Sequence, residues 1–271
     1  MGYVLKRSER TALIQGGFAI MKTIVCKTAE EFDRTAASFV ARQIKEKPNS
    51  VLGLATGGTP VGMYQELIRM VQSGKLSFKE VVTFNLDEYV GLPADHACSY
   101  HTFMKKNLFD SVDINMANTH IPNGQAPDLK KECEEYEKAI AKAGGIDLQV
   151  LGIGHNGHIG FNEPGTPFDS LTHVIELDQR TIRANQRFFN SEEEVPRKAI
   201  SMGIKSIMRA RKIILMVKGR DKAEILAKAL YGPITPAVPA SVLQLHPNIY
   251  VIADLEAASL LQEPAQWENC G

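Results

Sequence analysis

Apolar residues recur along this chain in two rhythms. Short unbroken runs at residues 23–26, 51–55, 81–85, 148–153, 171–177, 212–217 and 249–253 have the length and continuity of strands buried on both faces. Between them lie stretches with apolar residues every three or four positions. Phe32, Ala36, Phe39, Val40 and Ile44 form one such face, and Met63, Tyr64, Leu67, Ile68 and Val71 another. Both predict amphipathic helices. Thr28-Ala-Glu-Glu31 has capping-box spacing and marks where the first helix starts. Helices are also predicted over 99–109 and around 199–208. Residues 129–143, rich in Glu and Lys, predict a solvated helix that Gly144-Gly145 ends and Asp147 follows. About seven strands alternating with helices predict an α/β fold, a single domain built on a right-handed, doubly wound, mostly parallel, Rossmann-like sheet. Met21, next to the first strand run, marks the expected start of the catalytic domain at 21–271, with 1–20 as a poorly ordered extension.

The polar residues worth noting fall just after the strand runs. The densest set is Leu151-Gly-Ile-Gly-His-Asn-Gly-His-Ile-Gly-Phe-Asn-Glu163, which places His155, Asn156, His158, Asn162 and Glu163 among four glycines. Thr56-Gly-Gly-Thr-Pro60 joins a strand to a helix, with Thr59 positioned to cap and Pro60 suited to the first turn. Free N–H groups and the helix dipole there make either an anion site or an ordinary turn. The stretch is neither a Walker A loop nor a GxGxxG fingerprint. Asp87 and Glu88 follow the third strand run, as a helix cap, a solvated turn or a general base. Because adjacent side chains diverge, one of the two is expected to face a site. Arg183 and Arg187 lie at i, i+4, as an anion grip or as surface arginines. Lys218-Gly-Arg-Asp-Lys222 puts cations at another strand end. In a doubly wound sheet these ends share one edge, so Gly57, Gly58, Asp87, His158 and Lys222 are predicted to converge. Such a set suits a small phosphorylated substrate and acid–base chemistry.

Composition narrows this picture. Lys plus Arg equals Asp plus Glu at 31 each, which gives no basic excess for a phosphate backbone and argues against nucleic acid as partner. The four cysteines are scattered, with neither a disulfide framework nor a zinc pattern, and point to a reducing, cytoplasmic setting. No apolar run is long enough to span a bilayer, so no membrane partner is expected. No metal site is evident.

Five segments resemble the glucosamine-6-phosphate deaminase family: Gly53-Leu-Ala-Thr-Gly-Gly-Thr-Pro60, Phe84-Asn-Leu-Asp-Glu-Tyr-Val-Gly-Leu-Pro93, Gly152-Ile-Gly-His-Asn-Gly-His-Ile-Gly-Phe-Asn-Glu-Pro164, Asn185-Gln-Arg-Phe-Phe189 and Leu243-Gln-Leu-His246. The resemblance is collinear from about Met21 to about Ala257. It implies conversion of glucosamine 6-phosphate and water to fructose 6-phosphate and ammonia, in amino-sugar catabolism and without a cofactor. It further implies Asp87 as the base that removes the C2 proton, His158 as the promoter of ring opening and Glu163 as its orienting carboxylate. Asn156, at a position that is Asp in some family members, is given a supporting role. Gly57, Gly58, Thr59, Arg187 and Lys222 are expected to bind the phosphate. Arg183 does not stand out in the family pattern, and His155 has no family role, so a structural or rim position is expected for it. Some hexameric members have an allosteric site for N-acetylglucosamine 6-phosphate built from basic residues after the central loop. Residues 167–175 here hold no Lys or Arg, which predicts a non-allosteric enzyme, as a monomer or small homo-oligomer. The related 6-phosphogluconolactonases would share the glycine loops, but hydrolysis of a lactone needs no carbon base at Asp87. A non-catalytic sugar-phosphate sensor would need no proton-transfer set at all.

Overall fold

The structure is a computed structural model and describes residues 11–16, 19–186, 189 and 191–261. In chain order the strands are β1 (Thr11–Gly16), β2 (Ala19–Cys26), β3 (Val51–Leu54), β4 (Val82–Asn85), β5 (Asp87–Tyr89), β6 (Thr119–His120), β7 (Leu148–Leu151), β8 (His173–Glu176), β9 (Lys198–Ser201), β10 (Ile213–Val217) and β11 (Ile249–Asp254). The α-helices among the described residues are α1 (Ala29–Glu46), α2 (Val61–Gln72), α3 (Tyr100–Asn107), α4 (Leu129–Lys142), α5 (Gln179–Asn185), α6 (Ile204–Met208) and α7 (Ala223–Tyr231).

The main sheet has the order β1-β2-β11-β10-β7-β3-β4-β6. From β2 to β6 every neighbouring pair is parallel, so the sheet carries the seven parallel strands that the pattern predicts. One of the seven is not the run expected. Residues 171–177 supply β8, which belongs instead to a small antiparallel sheet in the order β5-β9-β8. The seventh parallel strand is β6, only two residues long and too short to leave a periodic signal. The helix expected around 199–208 divides into β9 and α6. At the other edge, residues expected in the extension form β1, antiparallel to β2, while residues 1–10, 17 and 18 lie outside the described residues.

Capping explains several helix starts. Thr28 accepts from the Glu31 N–H at 3.1 Å, and the Glu31 carboxylate returns to the Lys27 N–H at 2.7 Å. Ser99 and Asp128 do the same for α3 and α4. At α2 the structure differs from the expected Thr59 cap: Pro60 itself is the cap, and among the described residues no side-chain cap bond is made. That helix start is left open to a ligand.

Strand order reverses between β3 and β7. From β3 the chain moves outward to β4 and β6; from β7 it moves the other way to β10 and β11. The loops leaving the carboxyl ends of these two strands part, and a crevice opens between them. Below the crevice Leu52, Leu54, Leu148, Val150, Ile213 and Leu215 are fully buried or nearly so. At the opposite ends of β3 and β7, buried Asp147 accepts from the Val51 N–H at 2.8 Å, Lys47 Nζ at 2.7 Å and Arg211 Nη1 at 2.9 Å. Removing this carboxylate strands a buried N–H, and Asp147→Ala is expected to lower stability by about 2 kcal/mol, as measured by urea unfolding.

Candidate active site

The crevice holds a cavity of about 840 Å³. One wall is the β3–α2 loop. Gly57 sits there at φ +90°, a conformation that favours glycine. A Cβ on Gly57 or Gly58 would meet nothing within 4 Å, so the backbone of this loop faces open space. Gly57, Gly58 and Thr59 thus border the cavity just ahead of the uncapped α2.

A second wall comes from β5. Asp87 points into the cavity and is only 7% exposed. Its neighbour Glu88 turns the other way: its carboxylate accepts from the N–H groups of Tyr89, Tyr100 and His101 at 2.9–3.1 Å, with His101 Nδ1 at 3.0 Å. Glu88 is therefore the anchor of the α3 N-terminus, and Asp87 is the member of the pair that faces the site. Burial, with the negative Glu88 beside it, pushes the Asp87 carboxyl up to about 8. Tyr89, Tyr100, Phe161 and Phe189 pack around this strand, with ring centroids 5.0 to 6.2 Å apart, and account for the dryness.

The loop after β7 supplies the third wall. His158 Nδ1 stands 3.5 Å from Glu163 Oε2, an ion-pair distance longer than an ordinary hydrogen bond. Asn156 Nδ2 donates to the same oxygen at 2.6 Å, while Asn156 Oδ1 accepts from the His158 N–H at 3.2 Å. The other Glu163 oxygen accepts from Thr181 on α5 at 2.5 Å. Burial works to raise Glu163, but His158, Thr181 and Asn156 together outweigh it and hold the carboxyl below its usual range. It remains an anion beside the imidazole. Gly154 is required for this packing, since a Cβ there would lie 2.2 Å from the His158 ring. At Gly160 (φ +58°) an added Cβ would lie 2.9 Å from Ser201 Oγ and 3.6 Å from Asp87 Oδ2, so the loop passes directly over the β5–β9 pair.

Of the residues expected to converge, Gly57, Gly58, Thr59, Asp87, Asn156, His158 and Lys222 border this one cavity, and Glu163 stands behind His158. Arg187 lies outside the described residues. Arg183 is exposed and within 4.0 Å of Glu192, away from the cavity. His155 lies exposed at the rim and pairs with Asp221 at 2.6 Å. Two contributors, Thr181 and Ser201, had no sequence signal, and a third, Asn162, lay in the central loop with no role assigned to it. Thr181 is an ordinary helix residue until α5 is placed against Glu163. Ser201 Oγ accepts from the Phe161 N–H at 3.0 Å. Asn162, fully buried, donates to the Ile159 and Met202 carbonyls at 2.8 Å and pins the loop over β9.

A doubly wound sheet with an anion-ready helix start, a dry carboxyl and a carboxylate-oriented histidine at its switch point defines an enzyme of acid–base chemistry on small anionic substrates. The comparisons agree and are narrower. Residues 26–251 match the family described as glucosamine-6-phosphate isomerases/6-phosphogluconolactonase, and the chain belongs to it. A glucosamine-6-phosphate deaminase from Thermoanaerobacter pseudethanolicus is 56% identical over 243 residues, covering 90% of this chain and 96% of the relative. One from Clostridioides difficile is 54% identical over 241 residues, covering 89% and 97%. Among solved structures, a monomeric glucosamine-6-phosphate deaminase superimposes with a TM-score of 0.86 at 50% identity, covering 88% of this chain and 99% of that one. A 6-phosphogluconolactonase from Trypanosoma brucei, at 19% identity and TM-score 0.72 over 89% and 98% of the two chains, shares the fold.

The raised Asp87 carboxyl has a consequence for stability. Between the ordinary carboxyl value near 4 and about 8, the folded chain holds a proton that the unfolded chain has lost. Stability from this group therefore falls as pH rises through that window and is level above it. Asp87→Asn, which mimics the protonated form, is expected to gain on the parent by about 2 kcal/mol between pH 5 and pH 8, read by urea unfolding at a series of pH values.

Proposed function

We propose that the chain is a glucosamine-6-phosphate deaminase, converting glucosamine 6-phosphate and water to fructose 6-phosphate and ammonia. The observation that carries this reading is the meeting, in one cavity, of a buried carboxyl on β5, a carboxylate-paired histidine and the open start of α2. Relatives at 54–56% identity named for this activity support it.

In this reading the substrate's phosphate rests on the N–H groups of Gly57, Gly58 and Thr59, where the helix dipole favours an anion. Lys222 adds positive charge from the turn Arg220–Lys222. Arg187 is assigned the same task on its family motif. His158 takes the proton of the C1 hydroxyl and returns one to the ring oxygen, which opens the pyranose. Glu163 holds the imidazole and favours its charged form during the transfer. Asn156 keeps Glu163 turned toward that ring. Asp87 removes the C2 proton as the C1 oxygen is protonated, giving an enolamine. Reprotonation at C1 makes the C2 iminium; water adds there and ammonia leaves. The Asp87 environment suits the task, because a dry carboxylate is a stronger base than a solvated one. Lactone hydrolysis, which this fold also supports in other proteins, calls for no base aimed at carbon.

All the groups named come from one chain, and a monomeric solved relative supports a site complete within a single subunit. Residues 167–175 hold no Lys or Arg to receive a regulatory phosphate, so simple saturation kinetics are proposed.

Incubation with glucosamine 6-phosphate should release ammonia and fructose 6-phosphate in equal amounts. Asp87→Asn should lower kcat by about 10²–10⁴-fold, the usual worth of a positioned base. No ammonia from the parent would sink the deaminase reading; undiminished turnover in the variant would remove Asp87 from its assignment. Because only the ionised carboxylate accepts a proton, kcat/KM should rise with pH and level off above about 8, as a pH series would show. A sigmoidal rate curve made hyperbolic by N-acetylglucosamine 6-phosphate would refute simple saturation.

A further inference from the structure

Lys218 follows the last residue of β10 and borders the cavity, yet none of the chemistry above uses it. Its Nζ stands over the fully buried Phe32 ring, 4.4 Å from the centroid. Nζ then meets Asp33 Oδ1 at 2.7 Å. Asp33 belongs to α1 and lies against the first turn of α2: a Cβ added at Gly62 would fall 2.0 Å from Asp33 Oδ2. The space left by that glycine is where the carboxylate sits. Backbone geometry holds the lysine in place, since the next N–H, that of Gly219, donates to both Asp254 oxygens at 3.0–3.1 Å. An acid and a base thus stand together beside the helix start that the substrate's phosphate is proposed to occupy.

The electrostatic consequence follows from position. A bare carboxylate at the second residue of α2 would itself satisfy the positive end of the helix and repel an incoming phosphate. Lys218 cancels that charge from within the cavity wall, and both groups are partly buried, at 29% and 18% exposure, so solvent screens them incompletely. We infer that Asp33 and Lys218 are a matched pair of positioning residues that sets how strongly the start of α2 attracts the substrate's phosphate. The inference rests on the phosphate placement given under Proposed function. Neither residue touches the reacting carbons, so the pair governs KM and leaves kcat near its parent value.

The two charges act in opposite senses, and that gives the test. Lys218→Met keeps an unbranched apolar side chain beside Phe32 and leaves Asp33 uncompensated. Asp33→Asn keeps the shape of the side chain and leaves the lysine uncompensated. Lys218→Met should raise both the KM for glucosamine 6-phosphate and the inhibition constant of inorganic phosphate on the order of fivefold, and Asp33→Asn should lower both by a similar factor. The double variant should return to within about twofold of the parent, and the shifts should shrink in about 0.5 M KCl. A merely structural pair would move both single variants the same way or change thermal stability alone; either result, or no shift, overturns the inference. Calorimetric titration of the same four proteins with inorganic phosphate separates this from the deaminase reading. A parent that releases no ammonia while phosphate affinities still move oppositely defeats only the latter. Absence of phosphate binding in all four proteins defeats the pair.

Discussion

Asp87 is a carboxyl group denied water, and most of the site follows from that. Its exclusion from solvent depends on the aromatic packing of Tyr89, Tyr100, Phe161 and Phe189, and its neighbour Glu88 is turned in the opposite direction by three backbone N–H groups, that of Tyr89 and two at the start of α3. Two acids side by side on a strand would ordinarily repel each other into solvent. Here one is satisfied by hydrogen bonds and the other is left expensive to ionise. The small sheet β5-β9-β8 exists beside the main one to hold this arrangement, for β9 supplies both the backbone partner of Asp87 and, in Ser201, a hydroxyl that accepts from the loop above.

The larger sheet contributes position. Reversal of strand order between β3 and β7 places a glycine loop and a histidine loop on either side of one crevice, and β10 adds Lys218 and Lys222 from beyond β7. No single element contains the site. The segments that follow β3, β4, β7 and β10, far apart in sequence, meet because parallel strands all end at the same edge.

That edge rule is why much of the site is legible in the sequence. Each candidate followed an apolar run, and Asp87, His158, Lys222 and the Gly57-Gly58 loop do meet. The open cap of α2 was not legible, because Thr59 has the right chemistry for capping and only the backbone of Pro60 decides otherwise. Nor was β6 visible, since two residues carry no period. The 171–177 run looked like its neighbours because strand patterns do not say which sheet a strand will join. Thr181 and Asp33 could not have been found by pattern at all: each is an unremarkable helix residue whose importance lies in what an unrelated segment brings to it.

Asn156 carries one more implication. Its amide donates to Glu163 at 2.6 Å, a distance at which an aspartate in the same place could stay only by sharing a proton with the glutamate. Such a diacid would lose its proton in steps belonging to the pair, and the charge beside His158 would vary with acidity. The amide removes that mobile proton. What remains beside the imidazole is a single carboxylate held below its usual range, whose charge does not depend on a proton shared with a neighbour.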